Sequence, residues 1–249
     1  MDRHLPLAAL AVIMTCPAAA RADLLTFSAA GKVLTTGGTG YLADAWDGPL
    51  GYGVEAGIEV LGIDALGEAY MFAPDQYQFS GHLGFDVDFG ETVRVTPGLL
   101  AGAIVYYLPE PTNPSGLDVD TLPADVKAQI GAATLAKIDE KYRELAQDEE
   151  MANRTLTALN TRARLTIEYA LLPVLFLGAE ADVGLHYLLS GSDATTKAKR
   201  DLIASQKAQN PAASEAYDAL GEAIGANAST DVDRAGLNYS AGLFLKVEL

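Results

Sequence analysis

The sequence predicts an all-β chain: an eight-stranded antiparallel transmembrane β-barrel with two long, partly helical external loops. Three observations predict it. Apolar residues alternate with polar or small ones in eight separate stretches, which is the period-two pattern of a strand with two unlike faces. The polar face carries acids and bases in quantity. The connections between stretches alternate between short and long. No run reaches the 18 or so apolar residues of a membrane helix; the best, Tyr169 to Ala179, is interrupted by Pro173.

The chain of 249 residues opens with Arg3 and His4, the apolar run Leu5 to Met14 and the small-residue stretch Ala18 to Ala22. That order is the order of a signal peptide. Cleavage after Ala20-Arg21-Ala22 is expected, so that residues 1–22 are removed and the mature barrel spans 23–249. The single cysteine, Cys16, lies in the removed part, which leaves no thiol for a disulfide, a metal or a nucleophile. The net charge is -16, and loss of Asp2, Arg3 and Arg21 takes away +1, giving -17. Such a surface repels nucleic acid.

Taken in order, the stretches are Leu25 to Val33, Tyr52 to Val60, Ile63 to Met71, and Tyr77 to Phe89 with Ser80, His82, Asp86 and Asp88 on its polar side. The fifth, Val93 to Tyr107, is apolar at odd positions. Pro97 within it removes a ladder hydrogen bond and predicts a bulge at Thr96-Pro97-Gly98. The sixth, Thr155 to Leu171, sets Leu159, Leu165, Ile167 and Tyr169 against Asn160, Arg162, Arg164 and Glu168. The seventh, Leu175 to Leu189, sets Leu177, Val183 and Tyr187 against Glu180, Asp182 and His186. The eighth sets Leu237 to Leu249 on odd positions against Arg234, Lys246 and Glu248. The links run long (34–51), short, short, tight, very long (108–154), tight, very long (190–233). All the long ones fall at the end opposite the two termini, the arrangement of small bacterial barrels with external loops.

Alternation alone does not say which face looks outward, since a lipocalin has the same period with its apolar side inside. Strand length, charge and aromatics decide. Stretches of about 15 residues exceed what soluble strands usually need, and a tilted strand crosses a bilayer in about 9 to 11. A lumen charge network of Arg94, Arg162, Arg164, Glu168, Glu180, Asp182, His186 and Lys246 is expected to fill the narrow bore by pairing. Tyr52, Tyr77, Tyr107, Tyr187 and Tyr239 fall at one end of the apolar face and Tyr169 at the other, as two interfacial girdles do. A hairpin centred on Leu172-Pro173 pairs positions summing to about 345, which sets Arg164 against Asp182 or its neighbour and Arg162 against about 183.

This architecture, with the last strand Leu243-x-Leu245-x-Val247-x-Leu249, resembles the OmpA/OmpX-type small outer-membrane barrels over the whole mature length. It departs from them in ending on leucine where they usually end on phenylalanine. The resemblance implies a Gram-negative outer-membrane location, partners in outer-membrane lipid and lipopolysaccharide, and recognition of the C-terminal strand by the barrel-assembly machinery. With no residues after Leu249, a periplasmic peptidoglycan-binding domain is not expected.

In the 108–154 link, Asp120-Thr121-Leu122-Pro123 reads as a helix start, followed by a stripe of Val126, Ile130, Ile138, Tyr142 and Leu145. In the 190–233 link, Asn210-Pro211 precedes Tyr217, Leu220 and Ile224. These helices are expected to pack on each other or on the barrel mouth, or to bind a partner. Asp148 to Glu150 lack the spacing of a calcium loop, so no metal is expected. No cofactor motif is present. Ser80 and His82 share a face, and with Glu180 or Asp182 to orient the histidine the set would resemble a lipid-modifying acyl-ester hydrolase. No oxyanion element accompanies them, and the polar face points into the lumen. The leading expectation is therefore a non-enzymatic barrel, structural or displaying its loops for adhesion or partner binding; the alternatives are that hydrolase and a small diffusion pore.

Overall fold

The computed structural model describes residues 25–41, 50–73, 76–109 and 115–249. The expected signal peptide, 1–22, lies outside the described residues. Eight strands form one closed antiparallel barrel in sequence order: β1 (Thr26–Gly38), β2 (Leu50–Val60), β3 (Ile63–Ala73), β4 (Gln76–Asp86), β5 (Val93–Tyr107), β6 (Thr155–Leu172), β7 (Leu175–Leu188) and β8 (Ala235–Glu248). The seam between β8 and β1 is paired to the last residue: Phe27 N–H donates to the Leu249 carbonyl at 2.9 Å, and Leu249 N–H to that of Phe27 at 2.8 Å. Closure leaves no open edge, the condition for a sheet to stand in a medium that offers its backbone no hydrogen bonds.

The alternation sorts as its composition dictates. In the strands every charged side chain among the described residues points inward, while Phe27, Ile58, Leu83, Ile167, Leu185 and Leu243 are among the large apolar residues standing outward and exposed. A water-facing barrel would invert this. The wall is an apolar belt of the kind that marks a membrane surface, and its strands, from 11 to 18 residues, are long enough to cross one. No helix among the described residues is long and apolar enough to do so.

Links 39–49, 74–75, 108–154 and 189–234 fall at one end of the barrel, here called the mouth. Links 61–62, 87–92 and 173–174 share the other end with both barrel termini. β1 runs five residues beyond Val33, to Gly38, because it pairs with β8 along Thr35 to Gly38, so the first long link is 39–49 and not 34–51. The expected bulge at Thr96-Pro97-Gly98 is absent, and β5 pairs with β6 in unbroken register there, Thr96 with Thr166 and Pro97 with Leu165. Pro97 directs its missing N–H toward β4, whose regular pairing stops at Asp86, three residues short of Phe89; Val87 N–H still donates to the Pro97 carbonyl at 3.2 Å. The lost bond thus falls at a strand end, where it costs least. Register shifts occur instead at Met71/Ala73 and Ala170/Leu172.

The two very long links carry α1 (Ala124–Ile130), α2 (Ala132–Ala152), α3 (Ala194–Gln209) and α4 (Ser214–Ala223), the last preceded by a 3-10 turn at Pro211–Ala213. They share one core. Leu122, Val126, Leu135, Ile138 and Tyr142 from the first link interleave with Leu202, Ile203, Tyr217 and Leu220 from the second. α3 is the element the sequence reading missed. Its start is marked by Asp193, whose carboxylate accepts from the backbone N–H of Thr196 at 3.0 Å, an ordinary N-cap.

The two-residue turn Leu61-Gly62 has positive φ at both positions, 55° and 79°, as a type I′ hairpin turn requires. Leucine is poorly suited to that region, where asparagine is tolerated. Leu61→Asn is therefore expected to stabilise the folded barrel in lipid vesicles by about 0.5 kcal/mol, read as a raised urea midpoint. A lowered midpoint would show that the exposed leucine contributes more through the bilayer interface than its backbone costs.

Candidate functional site: the charged lumen and its mouth

The inward-facing charges come together in two layers. In the middle of the bore, Arg164 reaches three carboxylates with three different nitrogens: Nη1 donates to Glu55 Oε2 at 2.7 Å, Nη2 to Glu68 Oε1 at 2.6 Å and Nε to Asp182 Oδ1 at 3.0 Å. Arg162 donates from Nη2 to Glu68 Oε2 at 2.6 Å and lies 3.8 Å from Asp182. Lys32 Nζ bridges Glu55 and Glu180, each at 2.6 Å, across the bore between β1, β2 and β7. Glu68 is the meeting point, for it also accepts from Ser80 Oγ at 2.7 Å and Tyr70 Oη at 3.3 Å. All are buried, and buried charges are tolerable when each finds partners of opposite sign.

Nearer the turns, Arg94 donates to Glu248 at 3.0 Å and lies 3.7 Å from Glu168, while Lys246 joins Glu168 and Glu248. The inward ring of Phe176 lies beneath both cations, with Arg94 4.6 Å and Lys246 5.4 Å from its centroid. Between the layers, carboxylate oxygens of Glu59, Asp64 and Asp86 lie within 4.8 Å of one another beside a cavity of about 80 Å³.

Above the middle layer the bore changes character. Ile104, Tyr106, Leu156, Ala158 and Leu188 fill it as an apolar plug, with Leu34, Tyr70 and Phe72 packed as a second cluster. The inward face is thus charged below and largely apolar toward the mouth, where Gln76, Asn160 and His186 are the buried polar exceptions among the described residues, and the helices stand beyond it. Among the described residues of the long links only Met151 and Leu189, the residue next to β7, expose a large apolar side chain. Outside the barrel, burial raises the Glu150 carboxyl above its ordinary pKa, and Tyr142 is raised chiefly by burial as well.

Of the residues singled out in the sequence, Arg162, Arg164, Glu180 and Asp182 meet in the middle layer, and Arg94, Glu168 and Lys246 in the lower one. Arg164 stands directly opposite Asp182, and Arg162 opposite Gly184, so that paired positions sum to 346, one more than expected. The chief partner of Arg162 is Glu68, on a strand not adjacent to its own. His186 joins neither layer. It is 3% exposed, its ring nitrogens have no hydrogen-bond partner among the described residues, and it lies over Gly236, where a Cβ would come within 2.5 Å of the ring. Lys32 was not foreseen, although its even position between Gly31 and Val33 on an odd-outward strand places it inside.

Ser80 and His82 do not form a nucleophile–base pair. Both turn to Glu68, Ser80 by its hydroxyl and His82 Nδ1 at 3.6 Å. His82 Nε2 lies 3.3 Å from Asn160 Oδ1, and Asn160 in turn donates to Asn238 at 3.2 Å. Neither Glu180 nor Asp182 is among the contacts of the histidine. Tyr52, Tyr77, Tyr107, Tyr187 and Tyr239 stand outward toward the mouth, and Tyr169 outward toward the turns.

No family model matches the chain, and no curated protein does. Among solved structures, Neisserial surface protein A aligns with a TM-score of 0.41 and 9% sequence identity, over 89% of this chain and 96% of that one. The fold assignment rests on the chain's own strand pairing. A closed eight-stranded antiparallel barrel whose bore is filled by side chains is the architecture of the small OmpA/OmpX-type barrels.

Replacing Arg164 with alanine leaves Glu55, Glu68, Glu180 and Asp182 facing only Lys32 and Arg162. The loss is expected to be about 3 to 5 kcal/mol, read as a lower temperature at which the compact band disappears on a gel. Arg164→Ala combined with Asp182→Ala recovers part of it. A double variant as unstable as the sum of the two singles would refute the pairing. In the helical region, Glu150 with its raised pKa favours the folded state while protonated, and that contribution is lost as pH rises through the unfolded and then the folded value. Glu150→Gln should therefore slow amide exchange in α2 at neutral pH and have little effect in acid; faster exchange at neutral pH would contradict the assignment.

Proposed function

We propose that the chain is a non-enzymatic outer-membrane barrel that holds a folded helical cap at the bacterial surface. On this reading it is exported by a cleaved signal peptide, assembled through its C-terminal strand and surrounded by outer-membrane lipid and lipopolysaccharide. The observation that carries the reading is the combination of an apolar belt on the outside with a bore closed by paired charges and an apolar plug.

Two alternatives lose support for specific reasons. The hydrolase reading needs Ser80 to give its proton to His82, whereas its hydroxyl donates to Glu68 deep in the bore. A diffusion pore needs an open path, and the bore is crossed by Lys32, Arg162 and Arg164 with their carboxylates below the plug. The cap suits display. Its apolar residues are spent on its own core, and what remains outward is polar and rich in acids such as Asp120, Asp125, Glu144 and Asp148. Such a surface favours a cationic partner over an apolar or nucleic-acid one.

Proteolysis of intact cells tests location and orientation together. Cleavage is expected within 108–154 or 190–233, with a compact, boiling-sensitive barrel band left behind. Cleavage seen only after the outer membrane is opened would invert the orientation. A current through planar bilayers holding the folded protein would favour the pore, and an altered phospholipid or lipid A profile in cells carrying Ser80→Ala or His82→Ala would favour the hydrolase.

A further inference from the structure

The outward wall is not evenly packed. Across β4, β5, β6 and β7 two consecutive outward rows are fixed by the strand register: Leu83, Ala101, Thr161 and Leu185 in one, and Phe85, Leu99, Ala163 and Val183 in the next. Large side chains stand at both ends of each row. Between them the small Ala101, Thr161 and Ala163, with Leu99 the one large side chain among them, floor a trough of about 490 Å³ along β5 and β6, bordered by Leu83 and Phe85 on one side and Val183 and Leu185 on the other.

From this trough we infer a seat for one acyl chain of a membrane lipid. The inference rests on the membrane reading above and adds to it a preferred position for lipid. Inside the belt the wall is solvated by hydrocarbon, and any outward atom without a neighbour forfeits its dispersion contacts. Something apolar has to fill the trough. A flexible chain conforms to a hollow bordered by leucine and phenylalanine, whereas a second barrel would need a matching ridge. The lining supports the choice, since every outward side chain in it except Thr161 is hydrocarbon, and Arg162 turns its guanidinium away to Glu68 in the bore. A chain lying there touches protein on three sides and exchanges more slowly than one against the convex wall around Ile58 or Leu243.

The full-length protein, folded into vesicles of phosphatidylethanolamine and phosphatidylglycerol carrying a photoactivatable diazirine in the acyl chain, tests this. Irradiation followed by peptide mapping should give several-fold more lipid adduct at Ala101, Thr161 and Ala163 than at Ile58 and Leu243. Ala101→Leu together with Ala163→Leu fills the trough with apolar groups that the belt accepts. This variant should keep the compact gel band while its labelling falls to that of the opposite wall. Even labelling of the natural protein, or unchanged labelling of the filled variant, overturns the seat. A bifunctional protein cross-linker that joins two copies of the chain through this face in the same vesicles overturns it too, placing a second barrel there. If no compact band forms in the vesicles, the membrane reading itself fails and the seat with it.

Discussion

A closed hydrogen-bond ladder is the constraint from which the other features of this chain follow. In hydrocarbon an unpaired backbone group costs several kcal/mol, so the sheet has to close, and eight strands close into a bore only wide enough for side chains. Closure with an apolar outside leaves the period-two alternation no choice but to send the charged positions inward. The lumen is therefore charged because the exterior is not, and the problem passes from the backbone to the bore, where those charges must be neutralised.

Sequence-local pairing does only part of that neutralising. Arg164 and Asp182 are direct neighbours across one hairpin, but Arg162 reaches across the bore to Glu68 on β3, and Lys32 reaches Glu180 on β7 as closely as Glu55 on its neighbour β2. The ion network therefore links strands that share no backbone ladder. Such buried pairs are weak evidence of net stability, because desolvation offsets much of their attraction. Their effect is on specificity. A one-residue slip of β6 would carry Arg162 and Arg164 to the lipid face, so the charges fix register more firmly than they lower the energy.

Much of this was legible in the sequence, and the unread parts share a cause. Strand number, order and facing came from alternation, which needs only the chain itself; β5 was placed to the residue, and β6 and β7 to within one. What escaped was information carried by another strand. The extension of β1 through Gly38 depends on β8, and the harmless placement of Pro97 depends on where β4 ends. Glu68 as the meeting point of the charges depends on which side chains arrive from across the bore, which no single stretch encodes. Lys32 and α3 are different, since an even position on an odd-outward strand and an N-cap at Asp193 were both there to be read. His186 was grouped with the lumen charges by its facing alone, and the structure places it apart from both layers.

The apolar plug accounts for why the charged layers can be so dense. Ion pairs strengthen as water is excluded, and Ile104, Leu156 and Leu188 shut the bore between the middle layer and the mouth. The plug residues lie on β5, β6 and β7, the strands that end in or begin from the two very long links. Those links then meet in one helical core, so that α1 and α2, leaving β5 and returning to β6, are packed against α3 and α4, leaving β7 and returning to β8. The cap thus clamps four strands from above, while Lys32, Glu55 and Glu68 hold the same side of the barrel to β1, β2 and β3 from within. A barrel braced at both levels gains nothing from an open bore. The part of the molecule left free to vary without disturbing this bracing is the polar outer face of the cap, and that is where recognition of a partner has room to act.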